Sequence, residues 1–159
     1  MRVARSLAII SALAALAAAC SSPEPSFNEA AAELQKDVRR LETNDVFKNP
    51  LKKLQITQRA DRDVPCGEGR FMRVMRATAD YERVDEPLVA HLDKAESLME
   101  NALARDLGYE LDYDPSQSDA EDGRFIHGVK KDLGIKVTVY VAPEAPTWRL
   151  HAVTDCLER

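Results

Sequence analysis

LVAHLDKAESLMENALARDLGYELDYD, residues 88–114, carries a helix and the start of a strand in one run. Leu88, Leu92, Ala95, Met99, Leu103 and Leu107 recur three or four residues apart, while Asp93, Lys94, Glu96, Glu100 and Asn101 fall elsewhere. That spacing predicts a helix with one apolar stripe. Upstream, Asp85 reads as the N-cap and Pro87 as a first-turn residue, where a missing N–H costs nothing. Gly108 is placed to stop the helix, because glycine enters the left-handed conformation without a Cβ clash. Tyr109, Leu111 and Tyr113 then alternate with Glu110, Asp112 and Asp114, which predicts a half-buried strand.

Alternation continues downstream. RFIHGVKK, from Arg124, reads as a weaker strand, and Asp132 to Gly134 as a hairpin turn into IKVTVYVA, with Ile135, Val137, Val139 and Val141 inward. After Pro143 to Pro146, TWRLHAVTDCL places Trp148, Leu150, Ala152 and Cys156 on one face. Upstream, RFMRVMRATADYER (70–83) puts Phe71, Met75, Ala77, Ala79 and Tyr81 on one face, interrupted by Arg73; a bulge, or an edge where Arg73 reaches water, would resolve it. Ser26 and Glu29 have capping-box spacing before a helix over 27–43, striped by Phe27, Ala30, Ala31, Leu34, Val38 and Leu41. From Asn44 to Pro65 the periodicity is weak, with a short strand or helical turn around Leu51 to Ile56. The order helix, strand, helix, four strands predicts an α+β fold: a mostly antiparallel sheet of about five strands with two helices on one face.

The first residues read differently. Arg2 and Arg5 precede an apolar run from Leu7 to Ala19, too short to span a bilayer when about 20 residues are needed, and shaped like a secretion signal. Ala17-Ala18-Ala19-Cys20 resembles the lipobox of bacterial lipoproteins, with Ala17 where that family most often has Leu. The resemblance implies that the Cys20 sulfur takes a diacylglyceryl group and becomes the mature N-terminus. The alternative is a signal-peptidase cut after Ala19 that leaves Cys20 a free thiol. The expected organisation is a signal peptide over 1–19, a lipidated Cys and short tether over 20–25, and one extracytoplasmic domain over 26–159. Loss of 1–19 removes two Arg and no acid, taking the net charge from −5 to −7. So acidic a chain argues against nucleic acid as partner, and makes the lipid anchor, not surface charge, the membrane attachment.

Three cysteines in an exported chain leave one over after pairing. With Cys20 lipidated, Cys66 and Cys156 are left to form one disulfide in an oxidising compartment. Strand parity agrees. If the long helix returns the chain to its starting end and four antiparallel strands follow, the last runs opposite to the Arg70 strand and ends near Cys66. With DVPCGEG (63–69) before that strand, LGY closing the helix and VTDC (153–156) near the end, the chain resembles small uncharacterised actinobacterial-type lipoproteins. That resemblance implies localisation and the disulfide, and no activity.

Motifs for chemistry are sparse. His91, His127 and His151 share no metal-ligand spacing, and three or four converging ligands are needed for zinc; His151 is expected on an outer strand face and His91 at the helix boundary. No Gly-x-Ser-x-Gly turn is present, and the expected pairing would leave Cys66 and Cys156 without a thiolate. CGEGR (66–70) precedes a strand, which favours a tight turn over a phosphate cradle. ELDYDPSQSDAEDG (110–123) holds six acids; Asp112, Asp114 and Ser116 start like a calcium loop, but Gln117 and Gly123 break it. From Lys36 to Arg62 eight basic residues stand against four acids, a polarised surface or only a solvated face. No catalytic, metal or cofactor site is expected from these residues. They predict a lipid-anchored, non-enzymatic envelope protein that binds a partner protein or envelope component. The alternatives are a small-ligand or ion sensor with a pocket between the Leu88 helix and the sheet, and a hydrolase with dispersed residues.

Overall fold

The computed structural model describes residues 25–49, 52–114 and 122–159. Cys20, the expected leader and the tether residues up to Glu24 lie outside them, as do Pro50, Leu51 and residues 115–121. Ser26 opens α1 (Phe27–Thr43) with the expected capping box: its hydroxyl accepts from the Glu29 N–H, and the Glu29 carboxylate accepts from the Ser26 N–H. The predicted stripe from Phe27 to Leu41 is buried. Asn44 ends the helix and starts a short 3-10 turn over Asp45–Phe47, its side chain accepting from the Val46 N–H.

After it come β1 (Gln55–Gln58), β2 (Val64–Gly67), β3 (Arg70–Met72), β4 (Val74–Ala79), α2 (Leu88–Asn101), β5 (Glu110–Asp112), β6 (Arg124–Lys130), β7 (Ile135–Val141), β8 (Trp148–Thr154) and β9 (Leu157–Glu158). Six strands form one antiparallel sheet in the order β1-β4-β8-β7-β6-β5, and β2-β3-β9 form a smaller one. The fold is the expected α+β arrangement with six strands in its main sheet. α1 packs over β8 and β3, α2 over β6 and β7, both on the same side. Strands β5 to β8 meander back from the far edge, so β8 lies beside β4 and antiparallel to it. Cys66 and Cys156 are joined as parity requires, with 5.9 Å between their Cα atoms.

The core lies between helices and sheet. Leu92, Ala95, Met99 and Leu103 from the α2 side meet Ile135, Val139, Val141 and Trp148, all with no exposed surface. Full burial of a side chain such as Leu92 or Val139 stabilises by ~1.5–3 kcal/mol. Trp148 also donates its indole N–H to the Ala95 carbonyl at 3.0 Å, so its polar atom is satisfied in the apolar layer. In β6, Gly128 has no room for a side chain: a Cβ there would lie 2.9 Å from Val137 Cγ1 and 3.1 Å from Tyr109 Cβ.

Several expectations need correction. The Arg70 segment is two strands. At Arg73 the chain passes from the small sheet to the large one, its N–H donating to Thr154 Oγ1 at 2.9 Å and its carbonyl accepting from the Thr154 N–H at 3.0 Å. The Arg73 guanidinium, instead of reaching water, pairs with Asp63 at 2.6 Å and donates to the Ala60 carbonyl at 2.8 Å. Pro87, not Asp85, is the N-cap of α2; Asp85 adopts a φ of 44°, and the next side chain, Glu86, turns back to His91 and Lys94. Helix α2 continues through a wider π turn over Ala102–Asp106, and Gly108 ends it with a φ of 78° while the Tyr109 N–H donates to the Leu103 carbonyl. Tyr113 falls past β5 and is exposed, and Cys156 lies between β8 and β9, where Thr154 takes the last inward place.

Candidate binding face

Residues between the inward positions of a strand project to the opposite side of the sheet. Register therefore lines up Thr78, Arg149, Tyr140 and Phe125 in one row across β4, β8, β7 and β6. Arg76, His151, Thr138 and His127 form the next row. At the β5 edge, Asp112 stands opposite His127, and Glu110 opposite Val129. Both helices pack on the other side, so these two rows face outward.

The rows divide into an aromatic end and a cationic end. The Phe125 and Tyr140 rings are 4.9 Å apart, and the Phe125 and His127 rings lie nearly parallel at 6.1 Å. Phe125 is 48% exposed. His127 Nδ1 lies 3.2 Å from the Thr138 hydroxyl, and Tyr140 donates its hydroxyl proton to the Asp122 carbonyl at 2.5 Å. On the cationic side the Arg149 guanidinium lies 5.5 Å from the Tyr140 ring centre and reaches exposed Glu144 only at 3.4 Å. Arg76 makes no ion pair among the described residues, whereas Lys136 is held by Asp155 at 2.6 Å. Partial burial, and after it the neighbouring Arg76, hold the His151 imidazole below its ordinary range, so it is neutral at pH 7.

Buried charges elsewhere are tied into the fold. Asp37, 1% exposed, accepts from Tyr109 Oη at 2.9 Å and from Lys130 Nζ at 2.8 Å, and Lys130 also meets Glu33 at 2.9 Å. Burial raises the Asp37 carboxyl above its usual range in spite of Lys130, and burial followed by Asp37 raises the Tyr109 hydroxyl. Tyr109 thus stays a neutral donor and joins the strand edge to α1. On the inner face of β6, Arg124 is buried and pairs with Asp93 and Glu96 of α2, each at 2.6 Å.

The other sequence candidates are dispersed. His151 lies on the outer face as expected. His91 is not at a boundary: it is 2% exposed, 3.2 Å from Glu86, and stacked on Tyr81 with ring centres 5.1 Å apart. Along most of α2 the space against the sheet is filled by core side chains. A hollow of about 380 Å³ lies where the start of α2 meets the sheet end, lined by Asp80, Tyr81, His91, Pro143 and Thr147 among others. The Thr147 hydroxyl there is engaged by the Tyr81 N–H and carbonyl, both at 3.2 Å. In the basic segment, Lys36 pairs with Glu33, Lys48 with Asp45, and Arg59 with Glu42, so three of its eight basic residues are held in ion pairs. Of the calcium-like tract, Ser116 and Gln117 lie outside the described residues; among those described, no three His, Cys, Asp or Glu side chains are grouped to hold a metal ion.

In sequence the outer rows carry no period of their own, since the outward places of a half-buried strand are those expected to face solvent. One signal was available: Phe125 and Tyr140 are aromatic at the outward places of RFIH and VYVA. Comparison with models of protein families, with curated proteins and with solved structures found no match.

Proposed function

We propose that the chain is a lipid-anchored envelope protein whose domain acts as a non-enzymatic binding module, seating its partner on the outer face of the six-stranded sheet. The observation that carries this reading is the outer double row, where aromatic rings and guanidinium groups are displayed away from the core. The sulfurs of Cys66 and Cys156 are committed to each other, and the Asp37, Lys130 and Tyr109 groups to one another. The anchor is supported by the lipobox at Cys20, and no helix of the described residues is long and apolar enough to cross a membrane.

A photo-crosslinking residue replacing Thr138, at the centre of the face, should capture an envelope component in cells. A probe replacing Asp132, in the turn between β6 and β7, is the control. Equal capture from both positions would remove the outer face as the site. Mass spectrometry of the mature N-terminus tests the anchor: a diacylglyceryl-modified Cys20 is expected, and an unmodified one would overturn it.

The hollow at Asp80 favours a second reading, small-ligand sensing. Asp80 Oδ1 is buried without a hydrogen-bond partner among the described residues, and His91 lines the same hollow. A ligand that raises the thermal midpoint of wild type but not of Asp80→Asn would shift the conclusion to that site.

A further inference from the structure

We infer that the outer face of the six-stranded sheet takes a linear, sparsely charged acidic polysaccharide, one whose sugar rings carry carboxylates. This rests on the binding-face reading above and names its ligand class.

The chemistry of the two rows divides the ligand in the same way. Phe125, Tyr140 and His127 offer a cluster of flat rings on β6 and β7; in one row Thr138 stands between His127 and His151, and in the other Tyr140 adjoins Arg149, with Thr78 beyond it. Hydroxyl and imidazole groups so close to each ring suit a ligand that is apolar on its faces and hydroxylated on its edges, which describes a pyranose. Aromatic and arginine side chains are enriched at protein interfaces as well; it is the hydroxyl and imidazole groups interleaved with these rings that favour a sugar. At the other end Arg76 lacks an ion pair among the described residues, and the Arg149 contact with Glu144 is long and solvent-exposed. Both guanidiniums are therefore available to a carboxylate, for which their planar donor fork is well matched.

Charge density selects against nucleic acid. Nucleic acid brings a phosphate on every nucleotide, about every 3.4 Å along each strand of a duplex. The face offers Arg76 and Arg149 over four strands, its Lys136 is already held by Asp155, and Asp112 and Glu110 stand at the β5 edge. The whole chain carries a net charge of −5. A polymer with one carboxylate here and there, and stacking surfaces between, meets two cations without being driven onto the acidic edge.

The test uses the full chain purified in detergent, with an oligogalacturonate whose carboxylates are mostly methyl-esterified, leaving a few free, as probe (oligogalacturonate below), its fully esterified methyl ester as the uncharged form, and oligo-thymidylate as a densely charged polyanion. Oligogalacturonate should bind with an affinity that falls as salt rises, and the methyl ester about tenfold or more weakly. Arg76→Gln with Arg149→Gln should weaken oligogalacturonate by at least about tenfold, and Phe125→Ala by about fivefold, with thermal midpoints near wild type. Equal binding of the methyl ester, equal or tighter binding of oligo-thymidylate, or binding indifferent to these substitutions would each overturn the assignment. If no probe binds while the Thr138 position still captures a protein in cells, the polysaccharide assignment falls and the binding face stands. If neither occurs, both fall.

Discussion

Along β7, positions 135, 137, 139 and 141 are buried against the helices, while positions 136, 138 and 140 between them turn a lysine, a threonine and a tyrosine to the open side. The same contrast runs through β6 and β8. On the inner side, charge is admitted only with partners in place: Arg124 between Asp93 and Glu96, Lys130 between Glu33 and Asp37. This is the physical condition for burying ions, since desolvation without a partner is expensive. On the outer side, Arg76 and Arg149 stand with weak or no ion pairing, and three rings gather without being sealed from water. Stability is concentrated on one face of the sheet, and the side chains of the other are not tied into the core.

The disulfide offers the largest lever on this contrast. Cys156, just past β8, is tied to β2 in the small sheet, and that sheet flanks α1 through Phe71, whose ring lies 6.2 Å from Phe27. The cross-link spans 90 residues, so its chain-entropy contribution is ~4–5 kcal/mol, an upper range for such bonds. Cys156→Ser should lower the thermal midpoint by about 10 °C or more, and reductant should lower wild type to the same value while leaving the variant unmoved. Outer-face ligand capture at temperatures well below the midpoint should be unchanged. An unaltered midpoint under non-reducing conditions would show that the staple is dispensable to the inner architecture.

How much of this was legible depends on which face a residue serves. The inner places of β7 and β8 follow from simple alternation, and the α1 and α2 stripes from helical spacing, because apolar burial writes its period directly into sequence. Strand β1 was only faintly legible and β2 not at all, since each has four residues and neither has a fully buried side chain; they exist through pairing with β4 and β3. Arg73 looked like a flaw in one strand because its partner Asp63 and the sheet-to-sheet handover at Thr154 are tertiary facts. His91 was misplaced for a similar reason: the ring that covers it, Tyr81, comes from the segment before the helix. The outer rows required register. Phe125 meets Tyr140, and Tyr140 meets Arg149, only once β6, β7 and β8 are aligned residue by residue.

A middle-sized effect separates a polar group of the inner side from solvent chemistry. The Tyr109 hydroxyl, donating to buried Asp37, keeps its proton to a higher pH in the folded chain than its ordinary value of 10.0. Above about pH 10 the folded state therefore binds more protons than the unfolded state, and stability falls as pH rises, by up to ~1.4 kcal/mol per pH unit for this group. Tyr109→Phe should cost ~1–3 kcal/mol at neutral pH, because Asp37 loses a donor, and should flatten the alkaline decline. Urea unfolding across pH 8 to 11 measures both. Parallel declines in the two proteins would mean that Tyr109 is solvated, and the inner network less closed than its geometry indicates.

The smallest expected effect is the sharpest test of the two-face contrast. Arg76→Gln removes a cation without an ion pair among the described residues, and Phe125→Ala removes a ring that is half exposed. Surface substitutions away from packed or networked groups usually change stability within about ±0.5 kcal/mol, whereas an aromatic truncated in a core costs ~3–5 kcal/mol. Chemical unfolding of each variant should therefore give a midpoint close to wild type with an unchanged denaturant slope. A loss above ~2 kcal/mol at Phe125 would place its ring in a second packed layer, and the outer face would then be part of the protein's own interior instead of a surface held for something else. A near-zero loss, combined with the weakened capture expected of the same substitution, would assign the residue to recognition by a double dissociation: stability unmoved, binding lost.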